Sequence, residues 1–144
     1  MKTTTIKAND IKREWHLIDL NNQVLGRVTT EIATKLIGKN KVAFSPNLDV
    51  GDYVVCINAA GIKITGNKAN DKMYQHHTMY PGGLREINFN DLMEKDPRKV
   101  ILHAISGMLP KNKLRDERLK RLKIFVDANH PYEQQLTKLE KKEQ

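Results

Sequence analysis

Apolar positions along this chain recur with two different periods. In residues 24–37, Leu25, Val28, Ile32 and Leu36 return at three- and four-residue steps. That spacing puts them on one stripe of an α-helix. Arg27, Glu31 and Lys35 recur every four residues on the other side and can form a charge ladder. Gly38 then ends the helix. Residues 53–58, Y-V-V-C-I-N, are instead almost continuously apolar and rich in β-branching, as expected of a strand covered on both faces. A shorter run, W-H-L-I-D at 15–19, reads as a first strand broken by Asn21 and Asn22. Strand, helix and buried strand together predict a βαβ unit and a parallel sheet.

The remaining pattern is weaker. Residues 61–65 alternate as I-K-I-T and predict a further short strand, and residues 72–78 an extended segment leading into the loop T-M-Y-P-G-G. Residues 89–95 predict a short helix. Asp96-Pro97 is a strong helix start, with Asp as cap and Pro at the first position. Val100, Ile101, Ala104, Ile105 and Met108 follow with helical spacing, and Gly107 and Pro110 read as its stop, with Met108 and Leu109 pinned to the core. A second helical segment spans about 114–122, I-F-V at 124–126 predicts the last strand, and about 134–144 reads as a polar, mobile tail. The expectation is one α/β domain over 1–144.

Charge adds a direction to this picture. The net charge is +8, and residues 106–123 alone carry seven basic and two acidic side chains. A basic surface concentrated in one segment favours an acidic partner such as nucleic acid. On a helical wheel, at about 100° per residue, Arg115 and Arg118 fall inside the arc of Leu114, Leu119 and Leu122. Either long arginine stems cover apolar surface there, or both faces of the helix meet phosphate.

Candidate chemistry is sparse. G-I-K-I-T-G-N-K at 61–68 lacks the Gly-Lys-Ser/Thr ending of a nucleotide P-loop. Adjacent His76 and His77 would point to opposite faces of a strand and rarely share a metal ion. Neither serine lies in a nucleophile-elbow context, Cys56 reads as a small buried hydrophobe, and Asp49 and Asp52 read as turn formers around Gly51. No secretory signal and no membrane-length apolar run is visible. The reading is a soluble intracellular protein that is not an enzyme, has no cofactor, metal or small-molecule substrate, and does not meet a membrane.

Several stretches resemble one family in order and spacing: W-H-L-I-D (15–19), L-G-R (25–27), I-A-T-K-L-I-G-K (32–39), P-N-L-D-V-G-D-Y-V-V-C-I-N-A (46–59), K-I-T-G-N-K (63–68), Y-P-G-G-L (80–84), G-M-L-P-K-N (107–112) and H-P-Y (130–132). The family is bacterial large-subunit ribosomal protein thirteen, and the resemblance covers nearly the whole chain. It implies a three-layer α/β/α fold with a mainly parallel central sheet. It also implies a cytoplasmic structural constituent of the ribosome, bound to 23S rRNA and neighbouring large-subunit proteins early in assembly. The chain departs from the family pattern at Met79, where glycine is frequent, at Ser106, commonly basic, and at Arg115-Asp116, where Gly-Arg is usual.

Charge and resemblance together nominate an RNA-contact set. Arg27, Lys35 and Lys39 come from the first helix region, and Lys72, Tyr74 and His77 from the extended segment. Tyr80, Gly82 and Gly83 form a loop that the RNA backbone can approach closely. Lys111, Asn112, Lys113, Arg115, Arg118 and Arg121 form the main basic element. The rival readings are a small nucleotide-dependent α/β enzyme, for which phosphate loop and titratable cluster are both lacking, and a regulatory RNA binder acting off the ribosome.

Overall fold

A computed structural model of the chain describes residues 6–140, and the side chains of residues 6–136. Strand β1 (Trp15–Asp19) lies parallel to β2 (Tyr53–Ile57), with Trp15 opposite Tyr53 and Asp19 opposite Ile57. Parallel neighbours need a crossover, and α1 (Leu25–Ile37) lies within it. Its apolar stripe, Leu25, Val28, Ile32 and Leu36, is buried along its whole length, and Gly38 closes the helix at φ 81°. Strand β5 (Leu122–Ile124) pairs with the other side of β2, giving the parallel order β1-β2-β5. The central position of β2 is why Val54, Val55 and Cys56 are all fully buried.

The two faces of this sheet have different covers. Ile18, Val54, Cys56 and Leu122 join the stripe of α1 and Val100, Ile101 and Ile105 of α4 (Pro97–Met108) in one aliphatic core. On the opposite face Trp15 stacks on Tyr53 at 4.3 Å and on Tyr132 at 5.2 Å, with Phe125 beside Tyr132. The final helix, whose range is Glu133–Glu140, packs on β1. Helices, sheet and C-terminal segment are the three layers of an α/β/α fold. The segment read from its polarity as a tail is therefore helical over 133–140, and its last residues, 141–144, lie outside the described chain.

Other expectations shift by a few residues for identifiable reasons. Residues 61–65 do not form a strand. Asn58 adopts a left-handed conformation at φ 57°, a turn of 3₁₀ helix follows at Ala59–Gly61, and pairing is limited to one bridge between Val24 and Lys63. The alternation there reports one-sided burial of Ile62, with Lys63 exposed. A four-residue helix α2 (Lys68–Asp71) precedes β3 (Met73–His77), which pairs antiparallel with β4 (Leu84–Asn88) in a separate two-stranded hairpin. Strand β4 is not anticipated, because L-R-E-I-N alternates poorly. Helix α3 (Phe89–Lys95) follows, and Asp96 caps α4 by accepting from the Arg98 amide.

Helix α4 runs through Gly107 to Met108, so Gly107 is not its stop. The chain turns instead at Leu109, extended and 3% exposed, with Pro110 next, while Met108 is 43% exposed. The following helix, α5 (Leu114–Lys120), ends two residues early because Leu122 opens β5, which spans 122–124 and not 124–126. A 3₁₀ turn at Ala8–Asp10 precedes β1, and the C-terminal helix is α6.

Candidate nucleic-acid interface

Two of the nominated cations meet at the carboxyl-terminal edge of the sheet. A cleft of about 390 Å³ opens where α1 begins, bounded by the 64–68 loop and floored by Ile64, Ala104 and Met108. Arg27, Lys68 and Lys72 line it, and no carboxylate does. Arg27 is on the first turn of α1, Lys68 begins α2 and Lys72 caps its end, so two helices aim positive charge at one space. A Cβ on Gly26 would meet nothing within 4 Å, which leaves the backbone at the start of α1 open to the cleft. Helix amino termini favour anions, and none of the three cations has a carboxylate partner among the described residues. Lys68 is missing from the set read off the sequence. Its signal is the G-N-K that also makes 61–68 look like an incomplete phosphate loop.

The neighbouring hairpin supplies aromatic surface. Lys72 Nζ lies 5.4 Å from the Tyr74 ring centroid, a cation–π arrangement. Tyr74 meets His103 of α4 edge-on at 5.3 Å. Burial pushes the Tyr74 hydroxyl above the usual phenol range. His77 is exposed, but its Nδ1 accepts from the Met79 amide at 2.9 Å, tying it to the loop. In that loop the Gly83 amide donates to Tyr80 O at 2.9 Å, with Pro81 and Gly82 between and Gly82 at φ 68°. This is a type II turn by composition and by geometry. Tyr80 stands 74% exposed at the tip. Gly83 is buried, and a Cβ there would meet Thr78 Oγ1 and, at 2.7 Å, Tyr80 O. Gly83 is thus required by the turn and is not a surface that RNA can approach.

The basic segment divides into outer and inner groups. Lys111, Asn112 and Lys113 are exposed at the α4–α5 corner, where Asn112 Oδ1 also accepts from the Leu114 amide at 3.2 Å. Arg115 is partly buried and donates to Ser106 Oγ. Arg118 and Arg121 are not surface cations: they are 1% and 6% exposed. Arg121 donates to both Asp49 carboxylate oxygens, to Leu36 O at 3.2 Å and to Asp52 O at 3.4 Å, and Arg118 Nε lies 3.5 Å from Asp49 Oδ1. Arg13 adds a third contact at 3.6 Å. For Arg118, the wheel position inside the leucine arc is the sequence signal for this burial. Its electrostatic partner lies about seventy residues away in the chain and leaves no local trace.

Asp49 and Asp52 are accordingly not turn formers but hubs at the amino-terminal edge of the sheet. Burial by itself would push the Asp49 carboxyl up. The hydrogen bonds of Arg121 and the charges of Arg121, Arg13 and Arg118 outweigh it, and the net direction is down. Asp52 follows the same logic: burial is outweighed by hydrogen bonds from His16, the Glu14 amide and Lys41, and by the Lys41 charge. Glu14, His16 and Asp52 come close enough to share an ion. Lys41 already supplies the positive charge there, donating to Asp52, to Lys12 O at 2.7 Å and to Val50 O at 3.0 Å. Lys35 pairs with Glu31 at 2.8 Å, and Lys39 is exposed just past α1. The helix separates this edge from the cleft by roughly 20 Å. Cys56 is buried, and desolvation pushes its thiol up to about 12. No helix among the described residues is long and apolar enough to cross a membrane.

Comparison with known proteins agrees with this architecture. A family profile described as Ribosomal protein L13 matches residues 13–131. A relative named large ribosomal subunit protein uL13 from Geobacter sulfurreducens is 50% identical over 139 residues, covering 96% of this chain and 97% of the relative. Proteins of the same name from Hahella chejuensis and Clostridioides difficile are 48% and 49% identical over 132 residues, each covering 92% of this chain and 93% and 92% of the relatives. With that profile spanning residues 13–131 and relatives of 48–50% identity covering more than nine-tenths of its length, the chain belongs to the ribosomal protein L13 family.

Proposed function

We propose that this protein is a structural constituent of the large ribosomal subunit in the cytoplasm, bound to 23S rRNA and neighbouring ribosomal proteins and acting early in subunit assembly. The observation that carries the reading is the carboxylate-free cleft lined by Arg27, Lys68 and Lys72, in a chain of net charge +8. Folded RNA crowds phosphates together, and cations held on two helices lower that repulsion and fix the orientation of the protein. Tyr80 at the hairpin tip and Lys111 and Lys113 at the α4–α5 corner extend the contact surface. Lys35 and Lys39 offer a second, smaller one at the far end of α1. Asn112 and Arg115 hold the corner in shape. Arg118, Arg121 and Gly83 drop out of the set, since the fold already uses them internally. The role is binding and shape, and it calls for no bond-making chemistry.

Filter binding to large-subunit rRNA fragments across a salt series tests the cleft. Each phosphate neutralised contributes about 0.7 to 0.9 to the slope of log affinity against log salt. Replacing Arg27, Lys68 and Lys72 together by alanine is expected to flatten that slope by about 2. An unchanged slope removes the cleft from the interface. Sedimentation in washing salt tests the larger claim: the protein should travel with large subunits, and recovery only in the free fraction would overturn it.

A further inference from the structure

We propose that the second cleft, between the β3–β4 hairpin and α4, receives a single unpaired RNA base whose phosphate rests on the Arg27–Lys68–Lys72 cleft. The inference deepens the reading above and rests on it. This second cleft measures about 350 Å³, within the size range of pockets that hold small organic molecules. Its floor is apolar, from Ile87 and Leu92, and its walls carry the rings of Tyr74 and His103. Those rings meet at 84°, so a planar base laid on one presents its edge to the other. His76 and Arg85, on the same hairpin face as Tyr74, and Lys99 of α4 stand around it as hydrogen-bonding groups. Unstacked bases in irregular RNA are held in this way, by stacking on aromatic side chains and hydrogen bonds to their edges.

The two clefts are joined, and that is what points to one nucleotide. Lys72 lines the phosphate cleft and also sits over the Tyr74 ring of the base cleft. Residues two apart on an extended chain project to the same side, about 6.8 Å apart, which is comparable with the reach from a phosphate to its own base. Helix α4 underlies both spaces, His103 lining one and Ala104 and Met108 the other. Neither cleft contains a metal-ligating set or a buried nucleophile, so the geometry selects a bound base and no reaction upon it.

The test compares labelled penta-adenylate with an abasic ribose-phosphate pentamer of equal charge, by fluorescence anisotropy on the full chain. The native protein is expected to bind the base-bearing strand about tenfold tighter, in line with stacking on one aromatic platform. His103→Ala should bring that ratio near one while leaving abasic binding unchanged, and His103→Phe should restore it. Lys68→Ala should weaken both strands alike. A ratio near one in the native protein, or a ratio that survives His103→Ala, overturns the base pocket. Loss of the pocket with the rRNA salt slope intact would leave the ribosomal reading standing. A slope indifferent to Arg27, Lys68 and Lys72 would remove its phosphate half.

Discussion

Asp49 shows what a single side chain does in this protein. Its carboxylate faces Arg121, Arg118 and Arg13, and the two inner arginines are almost wholly enclosed. Removing one partner of a buried ion pair leaves uncompensated charge and costs about 3 kcal/mol or more. Asp49→Asn is therefore expected to destabilise by about 3 kcal/mol in urea denaturation. Arg118→Met should behave differently. Arg118 Nε and Nη1 have no hydrogen-bond partner, and Asp49 keeps Arg121, so the apolar replacement is expected to stay within about 1 kcal/mol of the parent. The same variant should bind rRNA with unchanged affinity, because the cation it removes is internal; a clear loss of affinity would put Arg118 back at the surface. Cys56 makes a simpler case. With its thiol buried and pushed up to about 12, it should react with a thiol reagent at pH 8 only as fast as the chain unfolds. Two departures from the family pattern also meet here: Arg115 donates to Ser106, so the basic group absent at 106 is replaced by one reaching back from 115. Met79 adopts φ 68°, the left-handed region that explains why glycine is frequent at its position.

Among the elements, the hairpin is the most independent. It forms its own two-stranded sheet, apart from the parallel one, and its register depends on the 80–83 turn. Gly83→Ala would drive a methyl into the Tyr80 carbonyl and the Thr78 hydroxyl, both fixed by the turn itself. Amide hydrogen exchange should then lose protection across β3 and β4 while β1 and β2 keep theirs; uniform loss, or none, would contradict the separation. Legibility also differed by element. The helix α1 was readable because burial of one stripe imposes a 3.6-residue period that no other structure shares. The strand β4 was not, because a two-stranded hairpin with mostly exposed positions imposes no burial period on L-R-E-I-N. The last helical residue, Met108, was readable from spacing, but the role of Gly107 as the stop was not. Gly107 tolerates a helical conformation, and the turn is set one residue beyond Met108 by burial of Leu109, a tertiary contact.

At the scale of the molecule, charge is sorted to the two ends of the sheet. The cleft at the carboxyl-terminal edge collects cations without carboxylates, and the amino-terminal edge binds Arg13, Arg121 and Lys41 to Asp49 and Asp52. This second edge ties β1, the 41–52 loop and the α5–β5 junction together, and it gives stability a pH signature. Both carboxyls titrate lower in the folded chain than in the unfolded one. Their contribution is therefore complete above the unfolded value of about 3.9 and disappears as pH falls through the lower folded values. The urea midpoint should be flat from pH 7 to about 5 and fall below about 4; in Asp49→Asn the acid slope should be shallower. A midpoint that declines equally in both proteins would mean that other groups govern acid unfolding.

Local pattern determined the βαβ frame, the buried central strand, the capped start of α4 and the excess of positive charge, because each of these follows from nearest-neighbour periodicity or from simple counting. The family was legible for the same reason, in contiguous stretches such as G-M-L-P-K-N. Tertiary structure alone decided which cations face outward. Arg118 and Lys111 are both cations of the same basic segment, yet one is enclosed against Asp49 and the other is exposed. Arg27, Lys68 and Lys72 become one site only when α1, α2 and the start of β3 converge. Electrostatic pairing acts through space and not along the chain, so the division between charge that holds the fold and charge left for RNA exists only once the chain has folded.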